Sequence, residues 1–422
     1  MAVSNQLPAR SVILSTQLVF NIGFYAVVPF IAIHMRDELL MGSTLIGIVL
    51  GVRTFSQQGM FFLGGVLAHR WGYRRLMLAG CAVRVLGYLG LAVADTTGAL
   101  IISAALTGLG GAMFSPCMEA LTAEIEKSAQ QHQAEALAKA KPRTSLFATF
   151  AVFGELGAVA GPVLGGLLMP WGFAWVAASC AGLFVIAGAI LFATVPAQLE
   201  RTPQKAGNWR KIFKHKDFLL FALAYSSYLF SYNQLYMAVP SEIARINAPL
   251  ITLSWLFVLA SVLVISLQLP IASLCRRFSA RTSLCIGFSW MTLAFLALLS
   301  SALSIVPKVF DDSYLSVIPI AFFVIFLSVG QMFAAPVAMA LVPLFAKGQS
   351  LPIYYGFLAS AGGAMVLVGN LMLGGVQDAL AALPELADLS GLSWLVAMLL
   401  PACTTVVLAR LRLPDDLCKR RG

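Results

Sequence analysis

Apolar residues along this chain run in long, nearly unbroken stretches separated by short polar segments. Stretches near 11–35, 43–68, 76–94, 99–123, 144–169 and 173–195, then 217–240, 251–274, 282–303, 315–346, 353–380 and 391–411, are each long enough to cross the hydrocarbon core as a helix. The pattern predicts an all-α integral membrane protein with twelve transmembrane helices in two pseudo-symmetric six-helix bundles. A polar stretch at 196–216, carrying Pro203, Gly207 and a cluster of Arg and Lys, separates the two sets. The expected organisation is a bundle at 1–195, a cytoplasmic linker at 196–216, a second bundle at 217–411 and a basic tail at 412–422. After the second span, Leu67-Ala68-His69-Arg70-Trp71-Gly72-Tyr73-Arg74 is echoed 207 positions on (67 to 274) by Leu274-Cys275-Arg276-Arg277-Phe278-Ser279-Ala280-Arg281. Matching loops in matching places imply duplicated halves, with a substrate site expected near the midplane.

Composition supports this picture and removes alternatives. With 59% hydrophobic and 11% charged residues and a mean hydropathy of +0.87, the chain cannot be a solvated globular protein. A net charge of +10 raises the question of nucleic acid. Placement answers it: outside the spans, almost all Lys and Arg fall in the N-terminal segment, the loops after even-numbered spans and the C-terminal tail, and only Arg36, Arg245 and Lys308 fall on the opposite face. Such asymmetry predicts both termini in the cytoplasm, with the charge meeting anionic lipid and not nucleic acid. The first apolar stretch is long enough to be retained as a helix and is not read as a cleavable leader. Seven scattered cysteines (Cys81, Cys117, Cys180, Cys275, Cys285, Cys403 and Cys418) show no CxxC spacing, so neither a disulfide framework nor a metal site is predicted, and no cofactor is expected.

The candidate chemistry lies at membrane depth. Glu155 sits beside Gly154 in an apolar stretch where Gly157, Gly161 and Gly165 recur every fourth residue, a helix face that a neighbouring backbone can approach closely. A lone acid at this depth is costly and asks for a function. Glu155 is the candidate proton carrier, because burial and a nearby cation shift a carboxyl in opposite directions as access changes. The competing reading is a static acid paired with Arg53 or a backbone group. Arg53 and Gln57, four residues apart, share an α-helical face and could hold an anionic substrate; alternatively Arg53 only neutralises Glu155.

Polar stripes complete the candidate cavity. Gln17, Asn21 and Tyr25 recur every four residues in the first span, followed by Pro29. Tyr225, Tyr228, Tyr232 and Tyr236 line the seventh, joined by Ser231, Asn233 and Gln234, with Gln331 in the tenth and Asn370 in the eleventh. Polar groups facing lipid are unfavourable, so a cavity is expected, although an aromatic stripe can equally be packing. Gly362, Gly363, Gly369, Gly374 and Gly375 in the eleventh span and Pro319, Pro336 and Pro343 in the tenth either loosen helices for movement or allow close packing.

On these motifs the chain resembles the major facilitator superfamily over essentially its whole length. Gly65-Val66-Leu67-Ala68-His69-Arg70-Trp71-Gly72-Tyr73-Arg74-Arg75 is similar to the family's loop motif between helices two and three. Gly157-x-x-x-Gly161-Pro162-x-x-Gly165-Gly166 is similar to the helix-five motif of its antiporters, chiefly proton-coupled drug exporters. Gly51 to Gly59 and Leu109 to Phe114 are similar to the MdtH-like drug efflux branch. The resemblance implies alternating access, small-molecule export, proton coupling and a monomer. It also implies a peripheral third helix, on which Arg84 would be structural or snorkelling. Two departures stand out: His69 replaces the motif aspartate, and Ala104 stands where the fourth helix often carries arginine.

An enzyme is not expected. No Gly-Lys dipeptide is present, hence no Walker A loop, and His34, His69, His132 and His215 lack metal-ligand spacing. The sequence therefore predicts a secondary active exporter of the inner membrane. The deep charges, two Arg against one Glu, allow a dedicated exporter of an anionic or zwitterionic metabolite such as a carboxylate siderophore. A non-transporting receptor or assembly factor on the same scaffold is the alternative of another class.

Overall fold

A computed structural model describes residues 8–135, 146–196, 209–302, 315–347, 351–383, 391–411 and 413–414. Most of the predicted linker and tail lies outside these residues. So do the surroundings of Gly65 and the side chains of His69 and Arg70, although the backbone there is helical. All regular structure among the described residues is helical, as expected where no water is at hand to satisfy backbone groups.

Each predicted span contains a helix. The first half holds α1 (Arg10–Ile33), α2 (Ser43–Thr54), α3 (Phe61–Trp71), α4 (Tyr73–Val93), α5 (Thr97–Glu135), α6 (Leu146–Leu168) and α7 (Phe173–Thr194). The second holds α8 (Lys216–Arg245), α9 (Ile251–Cys275), α10 (Ala280–Ala302), α11 (Ile318–Ala346), α12 (Leu351–Ala381) and α13 (Leu392–Arg410). Among the described residues, 10 helices are long and apolar enough to span a bilayer. The two predicted spans outside that set differ for physical reasons. Span two is divided into α2 and α3 by a π-helical turn at Phe55–Gly59, and α8 carries the Ser, Tyr, Asn and Gln stripe that lowers its hydropathy. Large apolar side chains such as Leu86, Val93, Ile102, Leu167, Ile186, Trp255, Leu269 and Met372 are exposed, the condition of a lipid-facing surface.

The chain forms two compact units, Met1–Val27 with Met60–Lys205, and Val28–Gly59 with Ala206–Gly422. The boundary falls inside α1, so α2 packs with the second unit. In the first unit α4 packs chiefly on α5 and α7; in the second α10 packs chiefly on α11 and α13. These contacts repeat in atomic detail. A methyl group on Gly80 would come within 2.8 Å of the Gly110 carbonyl oxygen, and one on Gly287 within 2.9 Å of that of Gly330. Arg74 donates to the Phe192 carbonyl at 2.6 Å, while Arg281 donates to the Leu411 carbonyl at 2.9 Å. Each arginine thereby meets carbonyls at a helix C-terminus, the end that attracts cations. The echo of 67–74 in 274–281 thus extends through the following helix.

The turn linking α3 to α4 depends on Gly72, whose φ of 80° is open to glycine and strained for other residues. Its counterpart Ser279 closes the same turn differently: its hydroxyl accepts the Thr282 N–H at 3.1 Å.

Candidate functional site

In the first unit, two stripes that are far apart in sequence meet. Methyl groups on Gly157 and Gly161 would lie 2.5 Å from Asn21 Cβ and 2.7 Å from Tyr25 Cβ. One on Gly154 would face Asn21 Nδ2 at 3.0 Å and Gln17 Nε2 at 3.4 Å. The glycine face of α6 is therefore a packing surface for the polar face of α1, a backbone approach that side chains would prevent. Glu155 stands beside this seam, partly exposed. Pro162, buried, follows Gly161 directly; Gly165 is buried and Gly166 partly exposed.

Arg84 differs from its snorkelling expectation. It is 1% exposed, inside the first unit. Its guanidinium carbon lies 4.2 Å from the Phe20 ring centroid, 5.5 Å from that of Phe24 and 5.0 Å from that of Phe184. The reason is packing: α4 is enclosed by α5 and α7, and Gly110 leaves room for the arginine stem, since a methyl there would come within 2.5 Å of Arg84 Cγ.

In the second unit, α2, α8 and α12 enclose a polar cluster. Arg53 Nη2 donates to Thr54 Oγ1 at 3.1 Å, and Asn233 Nδ2 donates to the same oxygen at 3.1 Å. Asn370 Nδ2 donates to Asn233 Oδ1 at 3.3 Å, and Gln234 Nε2 to Asn370 Oδ1 at 2.9 Å. All five side chains are buried. In a low-dielectric interior such linked hydrogen bonds fix the geometry of the guanidinium. The structure thus brings together Arg53, Asn233 and Asn370 of the sequence candidates and adds Thr54 as their shared acceptor. A buried threonine in a helix usually bonds to its own preceding turn, so nothing in the sequence singled it out.

Other candidates stand apart. Gln57 lies in the π-helical turn that begins two residues after Arg53 and is partly exposed, so the four-residue spacing no longer defines an α-helical face. Tyr225 stacks on Tyr228 with ring centroids 5.0 Å apart, and Tyr236 on Phe257 at 5.6 Å. Tyr225 and Tyr236 are buried, whereas Tyr228 and Tyr232 are partly exposed, as is Gln331 on α11. Of the loop motif, Arg74 holds the α7 carbonyl and Arg75 is exposed.

Two contacts escaped the sequence. The Asp378 carboxylate on α12 accepts the Ser43 N–H at 2.7 Å and the Thr44 N–H at 2.9 Å, capping α2 from another helix. Glu242, buried at the end of α8, accepts Trp394 Nε1 at 2.8 Å and Arg245 Nη2 at 2.7 Å, tying α8 to α13. Among the described residues no cluster of His, Cys, Asp and Glu could hold a metal ion.

Long apolar helices, exposed apolar side chains and polar clusters at their depth define a multi-pass membrane protein of the transporter kind. A model of the Major Facilitator Superfamily matches residues 13–369. The chain belongs to that superfamily, whose members are transporters and not enzymes. It is 31% identical over 389 residues to an uncharacterised MFS-type transporter of Mycobacterium tuberculosis, covering 88% of this chain and 86% of that protein. It is 27% identical over 372 residues to the multidrug resistance protein MdtH of Salmonella typhimurium, covering 86% of each. Among solved structures it is similar to the nucleoside transporter NupG, with a TM-score of 0.73 at 14% identity over 95% of this chain and 99% of that one. A peptide transporter, POT, gives 0.73 at 14% identity over 97% of this chain and 99% of that one. At such identities these structures speak for the fold alone.

Proposed function

We propose that this chain is a secondary active exporter of the inner membrane that moves a small organic molecule out of the cytoplasm by alternating access, coupled to inward proton flow. The observation that carries the reading is the α1–α6 seam. There Gln17, Asn21 and Tyr25 pack against the glycine face of α6, and Glu155 stands beside that face, partly exposed, where helix movement changes its surroundings. The relationship to MdtH, at 27% identity, supports drug-like substrates. Both termini are cytoplasmic, the two homologous six-helix halves rock about a central site, and the carrier works as a monomer in contact with lipid but not nucleic acid. In this cycle Glu155 takes a proton from outside, substrate leaves, and proton release inside resets the carrier.

The test is flux into proteoliposomes under an imposed pH gradient across a broad panel of organic cations, anions and zwitterions. Glu155→Gln is expected to insert normally and to lose gradient-driven flux. Undiminished coupling in that variant would remove Glu155 from the mechanism, and no flux of any compound by the parent protein would favour a receptor or assembly factor.

A second reading has its own observation: Arg53 and Arg84 are both buried, at 4% and 1% exposure. Two enclosed cations favour an anionic or zwitterionic metabolite such as a carboxylate siderophore over a lipophilic cation. Accumulation of an organic acid inside cells lacking the protein distinguishes this substrate class.

A further inference from the structure

The internal repeat supplies a control for Arg84. Position 84 of the first half corresponds to position 291 of the second, at the same offset of 207 (84 to 291) that relates the two loop sequences. The residue there is Met291, 0% exposed. The glycine that faces each side chain meets the same atoms. A methyl on Gly110 would come within 2.5 Å of Arg84 Cγ and 2.5 Å of the Gly80 oxygen; one on Gly330 would come within 2.8 Å of Met291 Cγ and 2.6 Å of the Gly287 oxygen. The fold fills this place with an unbranched apolar side chain in one half and with a cation in the other. Packing therefore does not call for the charge.

The charge is also poorly compensated. Its polar neighbours are Tyr88, within side-chain hydrogen-bonding reach, and Cys81, both on its own helix and neither of them a carboxylate. Among the described residues, none of Nε, Nη1 and Nη2 meets an acceptor in full hydrogen-bonding geometry. Three ring faces return part of the lost hydration through cation–π attraction. Burial of an ion costs more than such contacts restore, and methionine would avoid that cost. Two of the rings, Phe20 and Phe24, belong to α1, the helix inside which the boundary between units falls.

We propose that Arg84 is a carboxylate-binding residue of the first unit, whose guanidinium is uncovered when α1 shifts and then pairs bidentately with a carboxylate. A guanidinium presents parallel N–H groups that match a carboxylate, and an enclosed site strengthens the pair. The carboxylate comes either from a bound organic acid or from Glu155 on α6, the helix that packs on α1 through Gly157 and Gly161. The assignment rests on the exporter reading only for these two sources.

The experiment is thermal unfolding of the full-length protein in lipid nanodiscs, followed by tryptophan fluorescence. Parent, Arg84→Met, Arg84→Lys and Glu155→Gln proteins are compared in sodium citrate and in sodium chloride of equal ionic strength. Arg84→Met is expected to unfold at or above the parent temperature in chloride, because it restores the side chain of the repeat. If the source is an organic acid, citrate raises the parent's unfolding temperature with its concentration. The rise is then reduced in Arg84→Lys and absent in Arg84→Met. If the source is Glu155, citrate has no effect, while Arg84→Met and Glu155→Gln give non-additive changes in a double-mutant cycle. The proposal is overturned if neither the citrate shift nor the coupling appears, or if Arg84→Met keeps the parent's full citrate shift. None of these measurements requires transport, so missing flux with an intact citrate shift would sink the exporter reading and leave this one standing.

Discussion

Thr54 is a small residue with a large share in the second unit's polar cluster. Its hydroxyl oxygen accepts from both Arg53 and Asn233, so removing it takes a shared acceptor from two buried donors. Thr54→Val keeps the shape and is expected to lower stability by about 1–3 kcal/mol, read as a fall in the thermal midpoint. A value near zero would mean that water or relaxed side chains satisfy the two donors. At this scale the sequence was informative about chemistry and silent about partners. Arg53, Asn233 and Asn370 were visible because charged and amide groups are expensive in lipid. That they meet one another depends on three helices converging, which no local pattern encodes. For Arg84 the sequence left a structural and a snorkelling place open for the same reason, since exposure to lipid and enclosure by neighbouring helices produce the same apolar flanks in sequence, and burial removes the snorkelling one.

Among the elements, α2 is the most dependent on others. Gly42 precedes it, and its N-terminus has no capping side chain of its own; the Asp378 carboxylate serves instead. Unpaired N–H groups and the positive end of the helix dipole both favour an anion there. Asp378→Ala is therefore expected to cost about 1–2 kcal/mol and to speed hydrogen exchange at Ser43 and Thr44. Asp378→Asn, which keeps an acceptor but loses the charge, should fall between the two. Unchanged exchange in the alanine variant would mean that the cap contributes nothing to the order of α2. Hydropathy located a helix in every predicted span, because crossing a bilayer imposes a length on apolar runs. It could not locate the π-helical turn at Phe55–Gly59, where one turn widens without any change in apolar content. The freed geometry has a partner: the Gly59 carbonyl accepts the Ser360 hydroxyl at 2.9 Å.

For the whole molecule, duplication is the feature that the sequence announced and the coordinates extended. Eight residues of similar loop foretold matching helix packing, matching glycine contacts and two arginines doing the same job on different helix ends. Arg74→Ala and Arg281→Ala should thus each lower the thermal midpoint by a similar amount. The double variant should show their sum, since the sites share no partner. Strong non-additivity would show that the two ends are coupled through the body of the protein. The grouping of 28–59 with the C-terminal helices was not legible, because chain order and packing order need not agree.

That grouping has a mechanical consequence for α1. Its two ends belong to different units, divided between Val27 and Val28, and Pro29 follows immediately. Proline has no N–H to offer the carbonyl one turn back, so the helix is weakest in bending next to that boundary. A single helix of 24 residues can then act as a shaft with a joint in its length. Bending at that joint would tilt the segment that carries Phe20 and Phe24, the rings that cover Arg84.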